Sequence, residues 1–513
     1  MENSMKQTKT KELNRGVGIL MPISSLPGPY GIGTLGKEAY RFADFIKELG
    51  GSYWQVLPVG PTSFGDSPYQ SFSAFAGNPY FIDLDTLMEE GLLLPEEVHR
   101  VSWGQTEQKV DYGALAENRF TVLKKAFARS RHAATEAYRA FERENAYWLS
   151  GYSLYMAVKW SFGQRAWSEW DDDIRLRRPE AVAKYQAELA EEIAFWSFCQ
   201  FKFDEQWKKW KNYTNNLGIE IIGDIPLYVS KDSADVWVHS DLFELDEDLR
   251  EINIAGVPPD LFSETGQRWG NPLYRWNVME EDGFCWWTER MKTSAYHYDV
   301  IRIDHFIGIV NYYSIPAECP TAVDGEWKQG PGRKLTELMN ATIGTSKIIA
   351  EDLGILTPPV RRLMEENGYP GMKILEFALD MNPDNEYLPH NFRTDNVVAY
   401  IGTHDNETLA GSLKNISDGH MAYIAEYYGA KDRQDVPRAM IKALYASVAR
   451  VAILQMQDLL HLDNDARMNF PATMGNNWQW RMMGTQYAEV DPREYARLAR
   501  MYGRWPADRN HTP

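Results

Sequence analysis

The sequence has few of the residues that form disulfide frameworks or soft-metal sites. It has three cysteines in 513 residues, Cys199, Cys285 and Cys319, and they are far apart. Neither a disulfide framework nor a zinc site is therefore expected. The chain also lacks a run of 18 apolar residues, so no membrane-spanning helix is predicted. Residues 1–15 lack the apolar core of a signal peptide, which predicts a flexible tail and a cytoplasmic protein.

Positive charge and phosphate-binding patterns are scarce as well. The chain has 54 basic and 72 acidic residues, which gives a formal net charge of −18. Because no basic block offsets this charge, neither a nucleic-acid partner nor a membrane partner is expected. The turn-rich residues 24–33 contain several glycines, but no Gly-Lys-Ser/Thr follows and the spacing misses the dinucleotide pattern. This stretch therefore does not predict a phosphate loop.

Aromatic residues, in contrast, are plentiful. They make up 13% of the chain, with 18 tryptophans and 28 tyrosines. Sugar-binding grooves use aromatic faces beside polar edges, and large α/β cores are also aromatic. The composition favours the two interpretations about equally.

Short apolar segments alternate with helical segments, which predicts parallel strands. The strand candidates lie near residues 17, 54, 221, 301, 348, 374, 399 and 467. Eight such units predict an α/β fold, a (β/α)8 barrel with large loop insertions forming subdomains around a cleft. We expect residues 16–513 to form one catalytic unit, with a mostly helical insertion at about 60–215 and a loop-rich insertion over the cleft at about 231–298.

Charged residues follow the apolar part of several of these strands. In Val300-Ile301-Arg302-Ile303-Asp304-His305, Arg302 and Asp304 point to the same face of a strand because the side-chain period is two. An arginine beside an aspartate keeps the carboxylate ionised, as a nucleophile requires, although a structural ion pair would look the same. Asp224, Glu351 and Asp405 with His404 end similar runs.

Four carboxylates at the carboxyl ends of barrel strands point to a site at one mouth of the barrel. Asp, Glu and His side chains suit a metal, and paired carboxylates suit glycosidic chemistry. Asp304 and Glu351 lie on strands that are consecutive in sequence, so they fit the spacing of about 5 Å in a retaining enzyme. Glu351, less directly paired and close to other acids, is expected to be protonated near neutral pH. The sugar chemistry is the favoured interpretation.

Longer motifs add a family resemblance. Residues 302–305, 350–354 (Ala-Glu-Asp-Leu-Gly) and 402–406 (Gly-Thr-His-Asp-Asn) resemble the α-amylase clan. Residues 66–80 (Asp-Ser-Pro-Tyr-Gln-Ser-Phe through Asn-Pro-Tyr), 256–260 and 266–272 are similar to the amylomaltase, or 4-α-glucanotransferase (disproportionating enzyme), family. The resemblance extends from Gly16 to Arg481.

The resemblance implies a retaining double displacement, with Asp304 as nucleophile, Glu351 as acid and base, and Asp405 stabilising the transition state. It implies that the substrates are malto-oligosaccharides and α-1,4-glucans and that no cofactor or metal is needed. The implied substrate-binding residues are Arg302, His404, Tyr69, Ser67, Asp224, Asp260, Gln267, Trp269 and Phe262. Trp269, Asp260 and Gln267 would lie on the acceptor side.

Two other functions remain open on the sequence alone. A retaining α-glucan hydrolase would use the same acids and differ only in whether water reaches the intermediate. A non-catalytic glucan-binding protein is disfavoured by the complete set of acids. A monomer or a small homo-oligomer is expected.

Overall fold

The computed structural model describes residues 12–259, 263–354 and 356–506. Asp260 and Phe262, two of the predicted substrate-binding residues, lie outside the described residues. The strands in the described ranges are β1 (Gly16–Leu20), β2 (Tyr53–Gln55), β3 (Glu220–Pro226), β4 (Asn253–Val257), β5 (Gln267–Pro272), β6 (Val300–Asp304), β7 (Asn311–Pro316), β8 (Glu326–Gln329), β9 (Lys347–Ala350), β10 (Gly371–Ile374), β11 (Val397–Tyr400) and β12 (Val451–Gln455).

Eight parallel strands form the central sheet, in the order β10-β11-β12-β1-β2-β3-β6-β9. The two outer strands of this order meet, since the N–H of Ala350, the last residue of β9, donates to the carbonyl of Pro370 just before β10 at 3.0 Å. The sheet is thus a nearly closed barrel, and the predicted (β/α)8 fold is confirmed. β1 and β12 are buried along their whole length, as expected for strands covered on both faces.

The last predicted strand was wrong. The segment near residue 467 follows a short 3₁₀ helix, Asn464–Ala466, and does not join the barrel. Side chains anchor it instead, because Arg467 and Asn469 both hydrogen-bond Asp405. The eighth strand is β12, an uninterrupted apolar run that follows a helix with only four residues between them. The other seven strand predictions are confirmed.

Helices surround the barrel, and the longest series lies between β2 and β3. The helices are α1 (Lys37–Glu48), α2 (Leu84–Glu89), α3 (Pro95–His99), α4 (Tyr112–Arg129), α5 (Glu136–Glu144), α6 (Leu149–Ser161), α7 (Asp172–Arg175), α8 (Pro179–Glu188), α9 (Ala190–Asn216), α10 (Ala234–Val238), α11 (Trp276–Glu281), α12 (Cys285–His297), α13 (Arg333–Thr342), α14 (Pro358–Asn367), α15 (Leu409–Lys414), α16 (Asp418–Tyr428), α17 (Val436–Ala446), α18 (Met456–Leu459) and α19 (Pro492–Met501). No helix in the described part of the chain is long and apolar enough to span a membrane.

A second sheet lies between barrel strands in sequence. Its order is β5-β4-β7-β8, and its neighbouring strands are antiparallel. β4 and β5 come from the connection between β3 and β6, whereas β7 and β8 come from the connection between β6 and β9. Two separate barrel loops therefore build one small sheet, and β5 carries Trp269 and Gln267.

Candidate active site

An ion-pair network ends two neighbouring barrel strands. Asp224 on β3 is the register partner of Arg302 on β6, so the two side chains leave adjacent strands at the same level. Arg302 Nη1 lies 2.7 Å from both carboxylate oxygens of Asp224 and donates to Asp304 Oδ1 at 3.0 Å. Burial lowers the pKa of Arg302, but the charges of Asp224 and Asp304 raise it above its ordinary value. The guanidinium therefore stays charged between the two carboxylates.

Asp304 is the exposed member of this network. Its side chain is 31% exposed, whereas the side chain of Asp224 is fully buried. Asp224 accepts a further hydrogen bond from Tyr69 Oη at 2.8 Å. Asp224 is thus fixed by two partners, and Asp304 is the carboxylate that a substrate can reach.

Glu351 lies next to Asp304, directly after β9. Its backbone N–H donates to the Ile303 carbonyl at 3.0 Å, which holds it at the level of the β6 end. Its carboxyl oxygens accept from the His305 N–H and the Leu353 N–H, each at 2.7 Å. Burial, followed by the charge of Asp304, raises the pKa of Glu351 to about 8, against the opposing effects of Arg302 and the two N–H groups. Glu351 is therefore protonated at neutral pH, as a general acid requires.

His305 has an unusual backbone conformation that explains this geometry. Its φ angle is 53°, which lies in the left-handed region that is uncommon for residues other than glycine. This conformation directs its N–H to the Glu351 carboxyl. Burial lowers the pKa of the imidazole to about 4, so the ring is neutral. His305 thus acts on the site mainly through its backbone.

The third acid follows β11. The Asp405 side chain is 48% exposed, and its Oδ1 accepts from Asn469 Nδ2 at 2.7 Å. His404 is buried beside it, with Nε2 3.4 Å from Asp405 Oδ2. Arg467 Nη2 donates to the Asp405 carbonyl at 2.5 Å. The carboxylate is therefore held in one orientation while one side of it remains accessible.

An aromatic wall connects this acid to the ion-pair network. The ring of Tyr69 stacks on His404, with centroids 5.1 Å apart and planes 20° apart. Trp478 packs against both rings at 5.7 and 5.9 Å. Through its hydroxyl, Tyr69 joins this wall to Asp224. The three rings bring together the loop after β2, the loop after β11 and the C-terminal segment.

The second sheet approaches the acids through Trp269, which contacts His305. The Trp269 ring meets the ring of His305 edge-on, with centroids 4.7 Å apart and planes 89° apart. Its Nε1 donates to Gln267 Oε1 at 3.1 Å. Trp269 and Gln267 thus lie beside the residue whose N–H binds Glu351.

The predicted site residues differ in how closely they approach the centre. Arg302, Asp304, Glu351, Asp224 and Tyr69 form one connected cluster, which His404 and Asp405 join through the aromatic wall. Ser67 has only a local contact in its loop, since its Oγ accepts from the Tyr69 N–H at 3.2 Å. It positions Tyr69 without reaching the acids.

Two residues of the site were missed by the sequence reasoning. Asn469 binds Asp405, and Trp478 packs against Tyr69 with the two ring planes tilted by 45°. Asn469 was hidden because its segment was interpreted as a strand. Trp478 has a φ angle of 64°, a strained conformation for a bulky residue, and nothing in its sequence neighbourhood predicts its contact with a loop 400 residues earlier.

The carboxylates show little spare capacity for a metal. Arg302 occupies Asp224 and backbone N–H groups occupy Glu351. Across the part of the chain that the structure describes, no group of three or more His, Cys, Asp or Glu side chains is arranged to hold a metal ion.

Comparison with known proteins identifies the family. A family model described as 4-alpha-glucanotransferase matches residues 21–486. The chain belongs to the 4-α-glucanotransferase family. A 4-alpha-glucanotransferase of Thermus thermophilus is 46% identical over 500 residues, which cover 96% of this chain and 98% of the relative. One of Clostridium butyricum is 44% identical over 486 residues, 94% of this chain and 100% of the relative. The predicted resemblance is confirmed.

A solved structure of this 4-α-glucanotransferase family agrees with the fold. The amylomaltase of Streptococcus agalactiae, solved in complex with acarbose, superposes with a TM-score of 0.91 at 42% identity. The match covers 96% of this chain and 100% of that chain. The barrel and the segments that surround it are therefore shared with this amylomaltase.

Proposed function

We propose that this member of the 4-α-glucanotransferase family transfers α-1,4-glucan segments from a donor to the 4-hydroxyl of glucose or another α-1,4-glucan. The proposal rests on one observation. The protonated carboxyl of Glu351 lies beside the carboxylate of Asp304, which is held by the charged guanidinium of Arg302. A protonated acid and an anionic nucleophile on adjacent strands are the two groups of a retaining double displacement.

In the first step, Asp304 attacks the anomeric carbon of the donor sugar. The bond from the anomeric carbon to the leaving oxygen breaks as the bond to the Asp304 carboxylate forms, and the Glu351 proton moves to the leaving oxygen. The products are a covalent glucosyl ester on Asp304, an ionised Glu351 and a released sugar.

In the second step, Glu351 acts as a base. Esterification removes the charge of Asp304, which is the second cause of the raised pKa of Glu351. The ionised form of Glu351 is therefore less strongly disfavoured in the intermediate. It accepts the proton of the acceptor 4-hydroxyl, whose oxygen displaces Asp304 from the anomeric carbon. Both carboxyls return to their starting states.

The surrounding residues would bind the two sugars. On the donor side, Asp405 and His404 would bind ring hydroxyls and stabilise the positive charge that develops on the sugar ring, with Tyr69 and Asp224 in support. On the acceptor side, Trp269 and Gln267 would hold the incoming glucan. The predicted roles of Asp260 and Phe262 belong to this side and rest on the family resemblance.

Transfer is favoured over hydrolysis because the relatives at 46% and 44% identity, which match nearly the whole chain, are named as transferases. The retaining hydrolase that the sequence left open is therefore not favoured. Trp269, placed beside the acid, would favour a sugar over water as the acceptor.

Incubation with maltotriose tests the proposal. Transfer should give glucose together with maltopentaose and longer chains, with the number of reducing ends unchanged. Asp304→Asn should abolish these products, with glucan binding and the fold retained. Products no longer than maltotriose with a rising number of reducing ends would show a hydrolase. Full activity of Asp304→Asn would remove Asp304 from the mechanism.

Three sequence predictions stay predictions. They are the cytoplasmic location, the monomeric or small homo-oligomeric state, and the organisation of residues 16–513 as one catalytic unit with insertions at about 60–215 and about 231–298.

A further inference from the structure

Asp405 is carried by a loop, and this loop needs support from its surroundings. Residues 401–408 connect β11 to α15, and we give the name 402–409 loop to the stretch that ends at Leu409, the first residue of α15. Inside the loop, the Asn406 amide oxygen accepts from both the N–H and the hydroxyl of Thr403 at 2.9 Å. These local bonds shape a turn, but they do not fix its position relative to Asp304 on the far side of the barrel mouth.

Asp458 supports the end of the loop. It lies on α18, directly after β12, and is 1% exposed. Its Oδ1 accepts from the Leu409 N–H at 2.8 Å, and nothing described in the structure donates to its buried Oδ2. Burial raises the pKa of Asp458 to about 7. A buried acid with one unpaired oxygen costs stability. Packing alone therefore does not explain why an acid stands at this position.

Glu376 supports the beginning of the loop from the neighbouring strand. It follows β10, and its backbone N–H donates to the Ile401 carbonyl at 3.1 Å. Its carboxyl lies against Gly402, where a Cβ atom would approach Oε2 to 2.9 Å. The Glu407 backbone also faces this carboxyl and lowers its pKa.

The environment of Glu376 is acidic as well as buried. Burial, and then the charges of Asp458 and Glu407, raise its pKa to about 8, with Arg467 and the Glu407 backbone acting in the opposite direction. A Cβ atom placed on Gly402 would also approach Nε2 of Gln455, the last residue of β12, to 3.3 Å. Three strands, β10, β11 and β12, thus bring a set of buried polar groups to the back of the loop.

The front of the loop is held by the C-terminal segment. Asn469 and Arg467 bind the Asp405 carboxylate and carbonyl. Asn464 Oδ1 accepts from the Thr408 N–H at 3.3 Å. The loop is therefore held between this segment and two acids, the buried Asp458 and the half-buried Glu376. A change on either side would move Asp405.

We propose that Glu376 and Asp458 are positioning residues for the transfer reaction, which hold the 402–409 loop so that Asp405 and His404 meet the donor sugar in the transition state. The inference rests on the proposed function, because it takes Asp405 to act on that sugar. Neither acid touches the substrate. Glu376 acts through its contact with the backbone at Gly402, and Asp458 acts through the Leu409 N–H.

The test compares variants that remove or keep the acceptor oxygens. Asp458→Ala and Glu376→Ala should lower kcat for maltotriose disproportionation about tenfold or more, because a small displacement near the reacting atoms has a large effect on rate. KM should change less, since the lost contact belongs to the transition state. Asp458→Asn and Glu376→Gln keep the acceptor oxygens and should recover most of the wild-type kcat.

Asp83→Ala is the matched control. Asp83 is also a buried acid that binds a backbone N–H, that of Thr86 at 2.8 Å, but it caps α2 and not the site. This variant should lose stability without losing kcat when assayed where it is folded, as judged by near-UV circular dichroism. Equal losses of kcat in Asp83→Ala and Asp458→Ala would overturn the proposal.

A second donor separates positioning of Asp405 from a defect at Glu351. α-Maltosyl fluoride has a leaving group that needs no proton, so it should restore the first step in Glu351→Gln. It should not restore Asp458→Ala or Glu376→Ala, whose defect lies at the sugar ring. Wild-type rates in both alanine variants, or their rescue by the fluoride, would overturn the inference and leave the function of Asp304 and Glu351 intact. Full activity of Asp405→Asn would instead refute the role of Asp405 in the proposed function.

Discussion

The protonated state of Glu351 makes a quantitative prediction about pH. Its pKa is raised from 4.5 to about 8, mainly by burial and then by Asp304. A difference of about 3.5 units corresponds to roughly 5 kcal/mol between the two protonation states, at about 1.36 kcal/mol per unit. The acid form needed for the first step therefore persists through neutral pH. We expect kcat/KM for maltotriose to be half its maximum near pH 8 and to fall about tenfold for each further unit.

The measurement is the initial rate of glucose release from maltotriose well below KM, between pH 5 and pH 10. Under these conditions kcat/KM reports the free enzyme, in which Asp304 is still charged. With α-maltosyl fluoride as donor, the alkaline decline of the first step should disappear, because the leaving group needs no proton.

Glu376→Gln provides the control for this experiment. Glu376 also has a pKa raised to about 8, but its carboxyl is not at the reacting atoms. The alkaline decline should remain in this variant. A decline centred near pH 5 in the wild type, or one that disappears in Glu376→Gln, would refute the assignment of Glu351 as the acid.

Three further results are expected. Arg302→Leu leaves the carboxylates of Asp224 and Asp304 without their partner. It should lower the free energy of unfolding by about 3–5 kcal/mol in urea denaturation and abolish transfer through Asp304. A stable, active variant would contradict this. Trp269→Ala should raise the share of hydrolysis, measured as new reducing ends per glucose released, whereas Trp327→Ala, an exposed ring on β8, should not. Burial raises the pKa of Asp458 from 3.8 to about 7. The contribution of this carboxyl to the free energy of unfolding is therefore present below pH 4 and is lost as the pH rises through 7. Asp458→Asn should therefore gain up to about 4 kcal/mol relative to wild type between pH 4 and pH 8, and parallel stability curves would refute the raised pKa.

The sequence predicted the elements that have strong local signals. Apolar runs that end in an acid identified β3, β6, β9 and β11, because buried strands and charged strand ends leave a pattern in consecutive residues. The strand prediction failed at residue 467, where two polar side chains, Arg467 and Asn469, alternate with apolar ones and have Asp405 as their partner. Local pattern carries no information about a hydrogen bond across 62 positions.

Contacts between distant parts of the chain account for most of what was not predicted. Tyr69 was expected to bind sugar, but its bond to Asp224 spans 155 positions and follows from how the loop after β2 packs over β3. Arg302 was expected to hold Asp304, and the structure adds that Asp224 takes the shorter bonds. The left-handed backbone of His305, which orients Glu351, had no sequence signal because histidine rarely adopts it.

The small sheet has a consequence for engineering. Its strands β4 and β5 precede the nucleophile strand β6 in sequence, whereas β7 and β8 follow it. β4 pairs with β7, so the loop that carries Trp269 depends on a partner encoded on the other side of Asp304. A chimera that takes only the first loop from a relative would join strands that did not evolve together. Acceptor preference should therefore be exchanged between relatives as a two-segment cassette that leaves residues 300–304 in place.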